Sequence, residues 1–565
     1  MSAHRILMVS GARPSRTWRL AERITRETPG AEICGILQRS LQHLSIEQQL
    51  IAAGRTDLSA REYQWPLGLT YWLRSILERM MHAALWFIHG SPSAVRPTEL
   101  TFKTLLRKCR ESAIPFLVAD DLNSSSVLKF VTDQRPELGI VLGETTPSEE
   151  LLKIPRYGWI RAEHRAAQCK VGKEKIGSTI TIESIGKQTA EHPIAQIRLP
   201  RQIYDGLVGL TLKSDLVSDD LIIQSLTHLN ATIVQAAKAP TKWTQEILVP
   251  YLEQLQASSI ASDERFDPPA RHRATWKLCL DTFLLCSPLF VGRNWYRRLR
   301  RRYPITILTH HLVSDRPHRM GISTEVFWRQ IRFLQRHYRI TSLGEAVKLL
   351  KSGRVDAPTA VLTFDDGYAD NFVSLRAVTE ETGTPVTLFI STKCVELQQE
   401  FQHDIENGVR GALPLTWPQI RFWSFGRVEF GSHTRTHFDC GSDDRARLES
   451  EIVGSRRDLE DHLGKPVEFF AFPFGQRENM SPEALRLAQE CYPYFVSGFG
   501  GENHFASSTD NQHLLRKNLY SNAWEQELDL QSVFDMIDKI RLALSLRGLR
   551  STRFLQHFLQ PSHPP

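Results

Sequence analysis

The sequence predicts an α/β protein of two domains, a doubly wound parallel sheet followed by a distorted α/β barrel. Three observations carry this. Strand-like and helix-like segments alternate through the first half. A polar stretch with a Pro-Pro pair, ASSIASDERFDPPARHRA, opens near residue 256 and reads as a linker. Beyond it, three strand-like runs each end in polar or turn residues, and α/β barrels place their chemistry at such strand ends. At 565 residues the chain is long enough for more than one domain.

In the first half RILMVSG (5–11) reads as a strand with a loop glycine. TWRLAERITRE (17–27) has helical spacing, and AEICGILQ (31–38) returns to strand. YWLRSILERMMHAALWFI (71–88) has a broad apolar face broken by Arg74, Glu78, Arg79 and His82, which favours a buried or capping helix over a membrane helix. ALWFIHG (84–90) has the look of a strand. LTFKTLLRKCRESA (100–113) is helical, IPFLVADDLN (114–123) strand then loop, 124–134 helical, and LGIVLG (138–143) strand again.

The texture changes after 255. WKLCLDTFLLCSPLFVG (276–292) leads into RNWYRRLRRRY (293–303), with six arginines between Arg293 and Arg302 and Trp295, Tyr296 and Leu299 among them. Asp281 and Pro288 make this a poor bilayer span. It suits either an anionic membrane surface or a solvated inter-domain helix. A strand, PITILTHH (304–311), then opens the second domain, which runs to about 540. A basic amphipathic tail closes the chain (541–565).

Composition bounds the rest. The chain is 41% hydrophobic and 24% charged, as folded soluble proteins are, and its net charge of +7 is too mild to argue for nucleic acid. Eight scattered cysteines include no CxxC, so reduced buried thiols are expected rather than a disulfide framework or zinc ribbon. The short apolar run at the N-terminus is no signal-peptide core, and the cytoplasm is the expected setting.

Chemistry concentrates at VLTFDDGYADNF (361–372), where a strand ends in Asp365 and Asp366. Adjacent carboxylates repel, so the pair is a solvated turn, a metal ligand, or a base and a ligand together. VEF (428–430) leads into GSHTRTHF, with His433 and His437 four apart, and VEFFAF (467–472) leads into PFG. HxxxH alone arises by chance or from structural histidines. Two histidines and a carboxylate, however, suit a catalytic divalent ion with an open position, and a second aspartate suits a general base.

The second half resembles the NodB-homology polysaccharide deacetylases, carbohydrate esterase family four. The resemblance rests on TFDDG (363–367), HTRTH (433–437) and FAFPFG (470–475), supported by ILTHHLVSD, STEVFWRQIRFLQRHYRITSLGEAV (323–347) and LLRKNL. It covers roughly 303–540. It implies a distorted (β/α) barrel in which Asp366, His433 and His437 bind a divalent metal, usually zinc. Asp365 is then the base, and the backbone N–H of Phe474 is an oxyanion contact. The Phe474 ring either stacks on a sugar or packs in the core. Two features depart from the pattern. Ala471 stands where the third motif often carries an arginine that pairs with the base, and Arg516, in LLRKNL, is the candidate to replace it. The late leucine-x-histidine that supplies a general acid has no match in place: LQH (555–557) lies in the tail, and His504, in GGENHF, is the other candidate.

The first half resembles the formyltransferases. LGIVLGETTPSEELLKIPRYGWIRAEH (138–164) carries the likeness through IPRYG (154–158). IGSTITIE (176–183), PIAQIRLP (193–200) and LIIQSLTHLNATIVQAAKA (221–239) follow, and the likeness spans about 1–255. That family's asparagine falls on Arg161, its histidine on Glu163 and its aspartate near Ala190. The resemblance therefore implies a degenerate formyltransferase-like domain that binds a nucleotide-sugar or a partner, or is a structural remnant.

Together these features lead us to expect a metal-dependent hydrolase that removes an N-acyl group, acetyl or formyl, from an amino sugar in surface-polysaccharide or glycolipid synthesis. The other reading is an impaired carbohydrate-binding or scaffolding protein at the membrane surface.

Overall fold

The computed structural model describes residues 4–39, 102–166, 177–228, 247–254 and 275–533, a few short stretches within them excepted. The helix expected over 71–88, the strand over 84–90, the polar stretch from 256, the last part of 221–239, Ala190 and the tail 541–565 lie outside the described residues.

The first sheet has seven strands: β1 (His4–Ser10), β2 (Ala31–Arg39), β3 (Phe116–Ala119), β4 (Leu138–Leu142), β5 (Trp159–Ala166), β6 (Gly177–Ile185) and β7 (Ala195–Pro200). Their order is β3-β2-β1-β4-β5-β6-β7. The first five are parallel, and β6 and β7 add an antiparallel ribbon. All of LGIVL in β4 is buried, as a strand covered by helices on both faces must be. Gly139 is required there, because a Cβ would lie 2.0 Å from the buried Trp159 ring. Arg161 and Glu163 stand opposite Glu183 and Thr181 in the regular β5–β6 ladder.

The second sheet is built from β8 (Ile305–His310), β11 (Arg339–Ile340), β12 (Thr359–Phe364), β13 (Val386–Ile390), β14 (Val428–Ser432), β15 (Phe469–Ala471), β16 (Tyr494–Val496), β17 (His513–Leu514) and β18 (Arg516–Asn518); β9 (Leu312–Val313) and β10 (Gly321–Ile322) form a separate short pair. The order is β17-β16-β15-β14-β13-β12-β8-β18, all parallel. Only Leu515 separates β17 from β18, yet these strands pair at opposite ends of the row. One nearly continuous strand therefore closes the barrel. It is distorted at β12, whose Thr359 and Ala360 pair with β11 while Thr363 and Phe364 pair with β13.

Ile305, Ile307, Val361, Phe389, Phe469, Ala471, Val496 and Leu514 form a single buried cluster with the two-residue alternation of strands, and this fills the barrel. Val361 sets the inward parity of β12, so Thr363 and Asp365 share its face. The helix Leu343–Ser352 adds Leu343, Ala346, Val347 and Leu350 to the same cluster.

The two sheets meet through buried charges. The helix Pro14–Glu27 starts with a proline at a position that needs no N–H. It presents Arg16, Arg19 and Arg23, with Arg13 just before its first turn, to the helices Leu207–His228 and Asn371–Thr382. Arg16 bonds Asp215 and Asp219, and Arg19 bonds Asp219 and Glu381. Asp220 takes both Arg23 and Arg376. Glu381 is also bound by Arg13 and by the Ser15 hydroxyl. Burial acts to raise the Asp219 carboxyl, but Arg16 and Arg19 overcome it and hold the group below its ordinary value. Such a network adds little net stability over an apolar interface, but it tolerates few other alignments. A second seam joins Gln254 to the Pro414 carbonyl at 2.9 Å and to Gln419 at 3.1 Å.

Candidate metal centre and active site

β12 ends in TFDDG, and the backbone there explains how two adjacent carboxylates take different directions. Asp365 continues the strand, its N–H donating to the His310 carbonyl at 2.8 Å. Asp366 then turns into the left-handed region at φ +70°, and Gly367 follows at +86°. A left-handed turn is costly for an aspartate and is found where surrounding structure over-determines it. Gly367 suits this turn because φ +86° is a conformation that side chains rarely adopt, and a Cβ would also lie 2.7 Å from the Ile390 Cδ1.

Asp366 is fully buried, and neither carboxylate oxygen accepts a hydrogen bond among the described residues. His437 Nε2 and His433 Nε2 approach one of those oxygens at 3.2 and 3.4 Å. His433 Nδ1 lies 2.9 Å from the Ala471 carbonyl, which can only accept, so in the neutral imidazole the proton sits on Nδ1 and Nε2 carries the lone pair. Burial lowers the His437 imidazole to about 3. Burial also disfavours charge on His433, but Asp365 and Asp366 outweigh it and raise the group. At Asp366 burial acts upward, and His437 and the other neighbouring imidazoles hold the group well below the ordinary carboxylate range. One ligand atom from each of Asp366, His433 and His437 lies within 4.8 Å of the others. An orphaned buried carboxylate facing two imidazole nitrogens fits a divalent cation.

The HTRTH loop is held from below. Thr434 and His437 are left-handed, at φ +61° and +56°. Buried Glu451, on the helix Arg445–Leu463, accepts from the backbone N–H groups of Arg435 and Thr436 at 2.8 and 2.9 Å and from the Thr436 hydroxyl at 2.9 Å. Nothing in the local pattern around Glu451 singles it out among the other carboxylates of that helix.

Arg516, on β18, reaches Asp365 with both terminal nitrogens, at 2.7 and 2.8 Å. Its Nε donates to the Ser497 carbonyl, and both side chains are buried. Burial acts to raise Asp365, and Arg516 and His433 hold it below its ordinary value. Ala471 is completely buried within the barrel cluster, so the guanidinium at the base comes from β18, not from β15.

Phe474 is left-handed at φ +60°, and its side chain is about half exposed. Its ring stands edge-on to His437 with centroids 4.8 Å apart, which sets it at the rim and not in the core.

The expectation that His504 serves this site as an acid is corrected by its position. Its neighbour Asn503 pairs with Ile305, the first residue of β8, whereas the aspartates sit beside the last, His310. Five residues of strand separate the two ends by about 16 Å. His504 is exposed and lies 3.2 Å from Glu502.

Other groups converge that the sequence motifs did not single out as site residues. His311 follows the end of β8 and is lowered by burial against the pull of Asp366 and Asp365. His403 Nε2 lies 4.0 Å from Asp366, its ring packs on His437 at 4.4 Å, and it is within 3.1 Å of the Tyr368 hydroxyl. Tyr368 donates to Asp404, which also meets His318. His311 could have been found from the strand ILTHH, but His403 lies on a short helix, Gln402–Glu406, with no motif around it.

Residues 352–491 match the model of the polysaccharide deacetylase family. These residues therefore match a polysaccharide deacetylase domain. The protein YxkH of Bacillus subtilis (strain 168), named as a polysaccharide deacetylase, is 21% identical over 188 residues. These residues make up 33% of this chain and 61% of YxkH, so the chain spans about three fifths of that relative's length. Solved structures similar to this one include the Streptococcus pyogenes deacetylase PplD in complex with acetate (19% identity, TM-score 0.34, 41% of this chain and 98% of that one). IcaB from Ammonifex degensii is also similar (19%, 0.34, 40% and 97%), as is phosphoribosylglycinamide formyltransferase from Bacillus halodurans (10%, 0.25, 42% and 100%).

Proposed function

We propose that this protein is a metal-dependent hydrolase that removes an N-acyl group, acetyl or formyl, from an amino sugar of a polysaccharide, glycolipid or sugar-nucleotide precursor. The supporting observation is the buried, unbonded Asp366 carboxylate facing His433 and His437, with a second carboxylate, Asp365, clamped beside it by Arg516.

Asp366, His433 and His437 would hold the ion, zinc in this reading. When bound, such an ion polarises an acyl carbonyl and makes water easier to deprotonate. Asp365 accepts the proton of the attacking water. Arg516 keeps it ionised and fixes its direction, so Asp365 is a base and not a ligand. The Phe474 backbone N–H is offered to the carbonyl oxygen as charge develops there, and its half-exposed ring is available to a sugar face. The products are a free amine and acetate or formate. We place the reaction in surface-polysaccharide synthesis, with the protein in the cytoplasm, and assign the first sheet a non-catalytic role, since Arg161 and Glu163 occupy the positions where formyltransferases carry their asparagine and histidine.

A carbohydrate-binding protein without turnover is the second reading, favoured by the distance of His504 from the site. One experiment separates the two: bound metal, and acetate or formate release from N-acylated amino sugars, for the wild type, Asp365→Asn and His433→Ala. Metal with release in the wild type alone supports the hydrolase. Metal without release across acetyl and formyl substrates supports the binding protein.

A further inference from the structure

Ten large apolar side chains are exposed among the described residues, and six of them lie between 280 and 299: Leu280, Phe283, Leu289, Trp295, Tyr296 and Leu299. They belong to two consecutive helices, Thr275–Leu285 and Pro288–Arg300. On the second helix the exposed positions Leu289, Gly292, Tyr296 and Leu299 follow a spacing of three and four, which makes one stripe, with Trp295 beside it. The opposite face is anchored. Phe290 and Asn294 are buried, Arg293 bonds the Gln531 carbonyl at 2.7 Å, and Arg297 pairs with Glu502.

The anchoring leaves Arg298, Arg300, Arg301 and Arg302 exposed around the apolar stripe. No acidic residue occurs in the sequence between Asp281 and Asp315. An exposed apolar stripe flanked by four cations, with a tryptophan and a tyrosine at the boundary, is the composition of a helix that lies in a lipid headgroup layer. Arginine stems cover apolar surface while their heads reach outward to phosphates. Spanning is excluded for the described helices, none of which is long and apolar enough to cross a membrane.

We infer that the face formed by Leu289, Trp295, Tyr296 and Leu299 with Arg298 and Arg300–Arg302 docks the protein on an anionic membrane surface. The helix leads directly into the start of β8, whereas Asp365 and Asp366 sit at the other end of the barrel. The docked face and the candidate active site are therefore separated by about 16 Å or more of strand. On this docking a membrane-held sugar would have to stand off the surface by about that length to meet the site.

The test is flotation of the full chain with vesicles of phosphatidylcholine alone and of equal parts phosphatidylcholine and phosphatidylglycerol, at low and high salt. The wild type is expected to float with the anionic vesicles, less so at high salt, and not with the neutral ones. Replacing Arg298, Arg300, Arg301 and Arg302 by glutamine is expected to lower partitioning more than tenfold, as is Trp295→Ser with Leu299→Ser. Both variants alter only exposed side chains, so bound metal should be unchanged; if it is, failure of docking is not failure of the hydrolase reading. Absence of flotation on anionic vesicles at low salt overturns the inference. So does unchanged flotation of both variants, or a self-association that both variants abolish without any vesicle binding.

Discussion

Arg516 and Asp365, 151 positions apart in the chain, form a two-pronged buried ion pair at 2.7 and 2.8 Å across the strand that closes the barrel. The pair holds one of two adjacent aspartates ionised, as the proposed base must be, while its neighbour turns to the imidazoles. Arg516→Gln is expected to lower kcat about 100-fold, the scale of general-base catalysis, and to destabilise the fold by about 3–5 kcal/mol through the charge left unpaired. Burial then acts on Asp365 without Arg516, so the acid limb of the rate profile moves to higher pH. An unmoved limb would show that Arg516 does not set the ionisation of Asp365.

Metal removal is expected to abolish activity and lower the thermal midpoint. Returning a divalent ion at a thousandfold over its dissociation constant restores about 4 kcal/mol of stability. His433→Ala should erase the metal-dependent shift altogether. A shift that survives would place the ion elsewhere.

Glu451 touches no ligand atom but receives three hydrogen bonds from the loop that carries both histidines. Glu451→Ala should weaken metal affinity about 10- to 100-fold, as loss of supporting contacts does at other centres. Titration with a competing chelator measures it, and equal affinities would show that the loop holds its shape unaided.

The charged seam between the sheets should respond asymmetrically. Asp219→Ala leaves Arg16 and Arg19 buried without that partner and is expected to cost about 3–5 kcal/mol. Asp219, and Glu380, which accepts from the Arg376 Nε at 2.9 Å in the same seam, both lie below their ordinary values of 3.8 and 4.5. Their contribution is therefore complete above pH 4.5 and is lost as pH falls through the lower values they hold in the folded protein. Urea titrations across that range should show stability falling with acid in the wild type, less so in Asp219→Ala. Parallel pH curves would mean these carboxylates are not what acid titrates.

Phe474→Gly should leave the thermal midpoint unchanged or raised, because glycine takes φ +60° without the roughly 1–2 kcal/mol penalty of a side chain there. It should raise KM for the sugar while metal content stays the same. A lower midpoint would show that the ring is a packing element after all.

The ligand set was legible because its chemistry is local. TFDDG is a strand end followed by a glycine turn, and HTRTH places two imidazoles a few residues past another strand, so residue type and spacing alone suggest a metal and a base. The alternation of the first half likewise foretold a parallel sheet, although its antiparallel ribbon, β6 and β7, was not distinguished from parallel strands. What periodicity does not encode is which strand stands beside which. Arg516 was the candidate to attend Asp365, and only the closure of the ring through β17 and β18 brings it there. The same closure carries His504 to the far end of β8. His403 and Glu451 lie near the site through the packing of two helices, Gln402–Glu406 and Arg445–Leu463, and the arginines of the first helix are spaced like a solvated face until two other helices bury them. Sequence by itself singled out Asp365, Asp366, His433 and His437 as candidates, the strand ends that carry them and the two-part α/β plan. Tertiary structure decided the partners, because a buried charge takes its partner from whatever the strand order places within hydrogen-bond reach.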